Sequence, residues 1–196
     1  MVGTLTMTEI INTPLPGVLL IKPKVFADNR GFFLQTFQAE MYRDLGLDCT
    51  FVQDNHSRSQ RGVLRGLHYQ LHYPQGKLVS VASGEVYDVA VDIRQGSPTF
   101  GQSYGMILND INHYQIYVPP GFAHGFCVMS ETADFVYKCS EFYHPEDEGG
   151  VLWNDPDLKI EWPDMEVQLS QKDLINDKLC DISANNLPYY QKGTNK

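Results

Sequence analysis

Gly62-VLRGLHYQLHYPQGKLVSVAS-Gly84 is the stretch that says most about the fold of this chain. His68 lies in its first half, and Lys77 precedes an apolar run, Leu78–Ala82, that predicts a strand. Ser83-Gly84 predicts a turn directly after that strand. A second segment, Pro119-Pro-Gly-Phe-Ala-His124, supplies another histidine. Together the two segments predict a pocket that holds two histidines and one ammonium group.

The spacing resembles the metal motif of cupin-type barrels, which runs glycine, five residues, His-x-His, a carboxylate, six residues, glycine. His68 fills the first ligand position, but Gln70 replaces the second histidine and Lys77 replaces the carboxylate. A protonated lysine cannot ligate a divalent cation at neutral pH. The pattern therefore predicts no metal, and it favours proton transfer beside a developing oxyanion.

Apolar residues recur mostly with a period of two, which is typical of strands. Tyr87–Ile93 and Ala133–Cys139 alternate clearly, and the first of these is expected to be half-buried. Further strands are predicted at Gly17–Ile21, Phe32–Phe37, Gln115–Val118 and Gly125–Met129, besides Leu78–Ala82. Short helices are predicted at Ala39–Leu45 and from Ser170, and Trp153–Pro163 should be irregular. This pattern predicts an all-β fold, a jelly-roll barrel or sandwich with a few short helices.

The length of 196 residues and the 42% hydrophobic content predict a single domain spanning residues 1–196. Its barrel core should cover about residues 16–165, and residues 166–196 should pack against it with a short helix. Residues before Thr8 look like an extension. The chain has no apolar run of eighteen residues and no secretory signal pattern at its start. Four cysteines without C-x-x-C spacing indicate free thiols, so we expect a cytoplasmic protein without membrane association.

The charge distribution points to an anionic small ligand. A net charge of -9 argues against a general nucleic-acid binder. Residues 55–84 nevertheless contain no Asp or Glu, while Arg58, Arg61, Arg65 and Lys77 all fall there with three histidines. Arginine forks pair well with phosphate oxygens. A solvated charged loop is the alternative interpretation of this run.

Long ordered motifs resemble the dTDP-4-dehydrorhamnose 3,5-epimerase family. The matching strings include PKVFADNRGFF (Pro23–Phe33), FVQDNHSRS (Phe51–Ser59) and GVLRGLHYQ (Gly62–Gln70). They continue through PGFAHGF, FVYK and WNDPDL, so that the resemblance runs from about Pro16 to Asp173. It implies a cupin-like jelly roll, a homodimer with an exchanged N-terminal strand, and no cofactor or metal. The implied substrate is a dTDP-4-keto-6-deoxy sugar whose C3 and C5 are both inverted.

The resemblance also implies the catalytic residues. His68 would be the base, since its imidazole can be neutral near pH 7, and Asp173 would hold that imidazole in the right tautomer. Ser170-x-x-Asp173 equally fits a helix capping box. Tyr137 would be the acid on the opposite sugar face, although a plain core tyrosine is the alternative. Lys77 would stabilise charge on O4 of the sugar.

Further residues are implied to bind the substrate. Arg65 is expected at the diphosphate and Tyr143 on the thymine ring. The remaining binding residues are Arg30 and Gln35 from the partner subunit, with Gln53, Asn55, His124, Glu148 and Lys172. Gln35 departs from the family, which usually has Glu there; Gln keeps an acceptor and adds donors while losing the charge.

Three alternatives remain open from the sequence. The chain could act only at C3, or as a ketoisomerase, on the same scaffold. It could be a sugar-nucleotide binding module without catalysis. A metal-dependent cupin oxygenase is the third.

Overall fold

The computed structural model describes residues 8–191, and these form two facing antiparallel sheets with an added hairpin. The strands are β1 (Glu9–Asn12), β2 (Leu19–Lys22), β3 (Val25–Asp28), β4 (Gly31–Leu34), β5 (Gln53–Gln60), β6 (Leu64–Gln70), β7 (Lys77–Ser83), β8 (Glu85–Asp92), β9 (Ser103–Asn109), β10 (Gln115–Val118), β11 (Phe122–Val128), β12 (Thr132–Cys139) and β13 (Glu148–Gly150). The helices are α1 (Ala39–Asp44) and α2 (Gln171–Leu174), with 3-10 turns at Pro145–Asp147, Leu179–Asp181 and Ala184–Asn186.

The two large sheets enclose the main core between them. One has the order β1-β2-β10-β7-β12-β5, the other β13-β6-β11-β8-β9, and β3-β4 form a separate ribbon. Val79 and Phe135 of the first sheet meet Ala90 and Phe126 of the second. The rings of Phe126 and Phe135 stack with their centroids 3.9 Å apart. This architecture confirms the predicted all-β, cupin-like jelly roll with few and short helices.

A second core lies on the outer side of the five-stranded sheet. Leu67, Val89 and Val91 pack there against Val151 and Leu158 from the C-terminal part of the chain. Strand β8 is therefore buried on both faces for most of its length, and the expectation of a half-buried strand was wrong. The covering segment at residues 153–163 contains no helix or strand, as predicted.

All seven predicted strands are present, with ends that move by at most three residues. The prediction for Phe32–Phe37 ends too late, because β4 stops at Leu34. Helix α1 ends at Asp44, and α2 begins after Ser170, whose side chain caps it. The sequence did not predict β1, β3, β5, β6, β9 and β13 as strands.

The four predictions about the whole chain have different outcomes. Residues 1–7 and 192–196, which include the predicted extension, lie outside the described residues, and the division into core and C-terminal segment stays a prediction. All four cysteines are free thiols, and Cys127 and Cys139 are buried. No helix within residues 8–191 is both long and apolar enough to cross a bilayer.

Candidate active site

A cavity of about 540 Å³ opens between the two large sheets. Its lining includes nine of the residues that the sequence predicted as site residues: Arg65, His68, Lys77, His124, Tyr137, Tyr143, Glu148, Lys172 and Asp173. The histidines come from the five-stranded sheet, and Lys77 and Tyr137 come from the six-stranded sheet. A molecule in the cavity therefore meets different chemistry on its two faces.

Two glycines bring the histidine strands together. His68 on β6 is the register partner of His124 on β11, and the pairing shifts just after that position. A Cβ on Gly125 would lie 2.6 Å from the carbonyl oxygen of Arg65, and a Cβ on Gly66 would lie 2.6 Å from the Cα of Gly125. Only glycine permits this approach, so both imidazoles face one cavity.

His68 is held by a buried carboxylate. Its Nε2 lies 2.6 Å from Oδ1 of Asp173, whose side chain is 4% exposed. Burial alone would raise the pKa of Asp173, but the hydrogen bond and charge of His68, with further bonds from Ser170 and the Gly66 backbone, lower it below its ordinary value. The backbone amide of Asp173 donates to Oγ of Ser170 at 3.1 Å. Asp173 thus binds His68 with its carboxylate, and its backbone amide supplies one half of the capping box.

His124 has its own carboxylate, which the sequence analysis missed. Its Nε2 lies 3.0 Å from both carboxylate oxygens of Asp88, which is fully buried on β8. The pattern assigned Asp88 to the polar face of a half-buried strand, but that face turns to the core between the sheets, where Val86 and Ala90 also lie. The only sequence signal for this carboxylate partner was an acidic residue at an alternating position in a strongly apolar strand.

Lys77 and Tyr137 form the opposite wall, on the paired strands β7 and β12. Burial lowers the pKa of Lys77, while the nearby Cys139, Glu148 and Asp88 partly oppose that change. Lys77 has no ion-pair partner within 4.0 Å among the described residues 8–191. Its ammonium is therefore available to an anionic ligand.

Tyr137 keeps its proton at neutral pH. Burial raises the pKa of its hydroxyl, with Cys139 and Glu148 adding to this and Arg65 opposing it. Its ring packs on Phe135, with centroids 5.7 Å apart. Tyr137 is thus partly a core residue, as the alternative interpretation held, and it also lines the cavity.

A polar cluster stands at the mouth of the cavity. Tyr143 donates its hydroxyl proton to Oε2 of Glu148 at 2.7 Å, and Lys172 contacts the same oxygen. The hydrogen bond to Glu148 raises the pKa of Tyr143 to about 12. Arg65 donates from Nε and one terminal nitrogen to Oγ of Ser59, at 3.2 and 3.1 Å. Its side chain pairs with no carboxylate among the described residues, which leaves its charge for a ligand.

Four predicted binding residues do not line the cavity of this chain. Gln53 and Asn55 bond to each other at 3.0 Å, and Gln53 also accepts from the backbone amide of Tyr143 at 3.1 Å. Arg30 lies at the β3–β4 turn, paired with Asp28 and 85% exposed. Gln35 follows β4. Neither Arg30 nor Gln35 reaches the cavity within one chain.

The predicted cationic run divides in the structure. Arg65, His68 and Lys77 line the cavity, whereas Arg58 and His56 bind Asp134 on the outer face of the sheet. His72 binds Asp147 instead, at 2.6 Å. Side chains alternate along β5, so Arg58 points outward. The absence of Asp and Glu from this part of the sequence did not indicate that direction. Within residues 8–191, no three His, Cys, Asp or Glu side chains cluster as metal ligands would.

Known proteins match this chain over most of its length. Residues 12–181 match the family model for dTDP-4-dehydrorhamnose 3,5-epimerase. A protein of that name from Neisseria gonorrhoeae is 55% identical over 85% of this chain but only 51% of its own length. The chain thus spans about half of that relative. One from Shigella flexneri is 52% identical over 88% of this chain and 97% of its own.

A solved structure is also similar. It is dTDP-6-deoxy-D-glucose-3,5-epimerase from Legionella pneumophila in complex with dTDP-4-keto-L-rhamnose. That protein is 56% identical, with a TM-score of 0.91, over 94% of this chain and 99% of that one.

Proposed function

Because the chain belongs to the dTDP-4-dehydrorhamnose 3,5-epimerase family, we propose that it inverts C3 and C5 of dTDP-4-dehydro-6-deoxy-α-D-glucose. The product is dTDP-4-dehydro-β-L-rhamnose, on the route to dTDP-L-rhamnose. One structural observation carries the proposal: a carboxylate-bound imidazole and a protonated phenol line the same cavity from facing sheets. The reaction we propose uses neither a metal nor a cofactor.

Inversion requires a base on one face of the sugar and an acid on the other. The hydrogens on C3 and C5 are acidic because each carbon adjoins the C4 ketone, and removal of either gives an enolate. His68 donates from Nε2 to Asp173, so its lone pair is on Nδ1 and accepts the proton. Tyr137 then delivers its proton from the opposite sheet. Such a positioned base or acid typically contributes about 10²–10⁴-fold in rate.

The enolate oxygen needs a positive or donating group beside it. Lys77 lines the cavity and has no ion-pair partner among residues 8–191, and His124 lies beside His68 on the neighbouring strand. We assign both to O4 or the charge next to it. Loss of one preorganised donor at an oxyanion site costs about 2.7–4 kcal/mol of transition-state stabilisation.

The nucleotide would lie towards the mouth of the cavity. Arg65 suits the diphosphate because its fork is held in place only by a neutral serine hydroxyl. Lys172 and Glu148 lie at the same end, and Tyr143 is half-exposed and can stack on thymine. Gln53 supports Tyr143 through its backbone, and with Asn55 it completes the binding set.

We also propose a homodimer in which the N-terminal strands are exchanged. Val25, Phe26, Phe32 and Phe33 on the β3–β4 ribbon are all 37% exposed or more, which is an apolar patch suited to a partner. In such a dimer, Arg30 and Gln35 of each chain would reach the cavity of the other chain, since they do not reach the cavity of their own. The two buried free thiols agree with a cytoplasmic location.

The reaction itself is the direct test. The purified protein is incubated with the dTDP-keto sugar in deuterated water, and proton NMR follows C3 and C5. Both centres should gain deuterium and invert, and a downstream reductase should accept the product. His68→Ala should bind dTDP without turnover. Inversion at C3 alone would show a C3 epimerase, a shifted carbonyl would show a ketoisomerase, and a wild type that binds without turnover would show a binding module.

A further inference from the structure

Inversion of two centres by one base and one acid leaves charges that have to be reset between the two steps. In the first inversion a C–H bond breaks, and its proton passes to Nδ1 of His68 while the electron pair enters the enolate. The O–H bond of Tyr137 then breaks, and its proton joins the opposite face of the same carbon as the ketone reforms. The sugar keeps its proton count, but an imidazolium and a phenolate remain. The second inversion needs the neutral imidazole and the protonated phenol again.

Glu148 is the acidic group next to the nitrogen that takes the proton. Its Oε1 lies 3.7 Å from Nδ1 of His68. Its other oxygen, Oε2, is occupied by the Tyr143 hydroxyl and the Lys172 ammonium. Oε1 accepts no hydrogen bond from the described residues 8–191, and it is not shut off from the cavity that Glu148 lines.

We propose that Glu148 removes the proton from the His68 imidazolium between the two inversions, an inference that rests on the proposed function. The Nδ1–H bond breaks and an Oε1–H bond forms, so the imidazole becomes neutral. The carboxylic acid then passes its proton to water at the mouth of the cavity. Water supplies one proton to the Tyr137 phenolate, so no net proton is gained or lost.

The other carboxylates near the two histidines are already bonded elsewhere. Asp173 is bonded to Nε2, the opposite nitrogen of His68, and Asp88 is bonded to His124. The mouth side of Glu148 is open, because half of the Lys172 side chain is exposed and Tyr143 is 51% exposed.

Electrostatics favour a carboxyl that passes the proton on. Burial would raise the pKa of Glu148, but the hydrogen bonds from Lys172 and Tyr143 and the charges of His68 and Lys172 keep it below its ordinary value. Protonated Glu148 is therefore short-lived and does not store the proton.

Single-turnover kinetics with enzyme in excess test the proposal. Wild type, Glu148→Gln and Lys172→Met are mixed with the dTDP-keto sugar in deuterated water, quenched at intervals, and analysed by NMR and mass spectrometry. In Glu148→Gln the second inversion should be slowed about 10²-fold more than the first, so that singly inverted sugar accumulates. Lys172→Met keeps the carboxylate, so it should weaken substrate binding without the accumulation of singly inverted sugar that Glu148→Gln shows.

Glu148→Asp, which retains a carboxylate, is the second variant and should complete both inversions in one turnover. Calorimetry with dTDP shows whether each variant is folded and binds. Equal slowing of both centres in Glu148→Gln, or the absence of singly inverted sugar, would overturn the role of Glu148. A wild type that inverts neither centre would instead overturn the proposed function.

Discussion

Asp173 serves two structural purposes, and two substitutions can separate them. Its carboxylate holds His68, while its backbone amide completes the cap of α2 on Ser170. Asp173→Asn keeps the backbone bond but removes the charge that fixes the imidazole tautomer, so we expect kcat to fall by about 10²–10⁴-fold. Ser170→Ala should lower stability by about 1 kcal/mol and reduce kcat far less than Asp173→Asn, because the charged carboxylate stays bonded to His68. Steady-state kinetics and thermal melts measure both, and equal loss of kcat in the two variants would contradict this assignment.

Lys77 should set the alkaline limb of the pH–rate profile. The pKa of Lys77 is lowered by burial, whereas the pKa of Tyr137 is raised by burial. Burial thus moves the loss of the Lys77 ammonium to lower pH and the loss of the Tyr137 phenolic proton to higher pH. We expect kcat to begin falling below the ordinary lysine pKa of about 10.4. Lys77→Arg, whose guanidinium stays charged, should move that limb to higher pH, though with lower kcat; an unmoved limb would assign it elsewhere.

The limits of sequence reasoning at the residue scale follow from side-chain direction. His68, Lys77 and His124 were predicted from the spacing of the cupin-type motif and from the second histidine segment, although each lies outside the strands that the sequence predicted. Asp88 was not predicted, because the alternation of a strand does not indicate which of its faces a distant segment covers. Arg58 was placed with the pocket residues because it is close to them in sequence, but the pleat of β5 turns it to Asp134 on the other side.

Among the elements, the β6–β11 contact depends most on single atoms. In Gly125→Ala the new Cβ would meet the backbone oxygen of Arg65, so the two strands must separate. We expect a loss of about 1–3 kcal/mol in stability and a fall in kcat, because His68 and His124 move with their strands. Gly105→Ala on β9 of the same sheet is the control, since its Cβ meets only the Tyr87 side chain, away from the cavity. Denaturant unfolding and kinetics should show a loss of kcat only in Gly125→Ala.

Element prediction succeeded where strands carry apolar residues on one face. β10 was placed within one residue because it contains the apolar run Ile116–Val118, and β12 because Ala133, Phe135, Tyr137 and Cys139 share one face. β5, with the sequence QDNHSRSQ, has no apolar residue at all, yet it pairs with β12 along its whole length. β5 forms a strand because it pairs with β12 and not because of a local pattern, so no periodicity in the sequence could predict this strand.

For the whole molecule, the fold class was predictable but the arrangement of sheets was not. Short alternating runs with turn residues between them predict a two-layer β structure. The order β1-β2-β10-β7-β12-β5 joins strands that are far apart in sequence, and no local signal encodes that order. The β3–β4 ribbon shows the same limit, because no local signal indicates that Phe26, Phe32 and Phe33 are exposed within one chain.

Exchange of site residues between subunits can be tested by complementation. Arg30→Ala and His68→Ala should each be nearly inactive as homodimers, the first because it lacks the partner's guanidinium and the second because it lacks the base. When the two variants are unfolded together and refolded, half of the dimers should be mixed, and each mixed dimer restores one site with both groups. Activity should therefore return to about a quarter of the wild-type value, which a reductase-coupled assay measures. If Arg30 acted within its own chain, or if the protein were a monomer, the mixture would show no more than the average of its parts. Refolding either variant with itself controls for activity gained in the procedure.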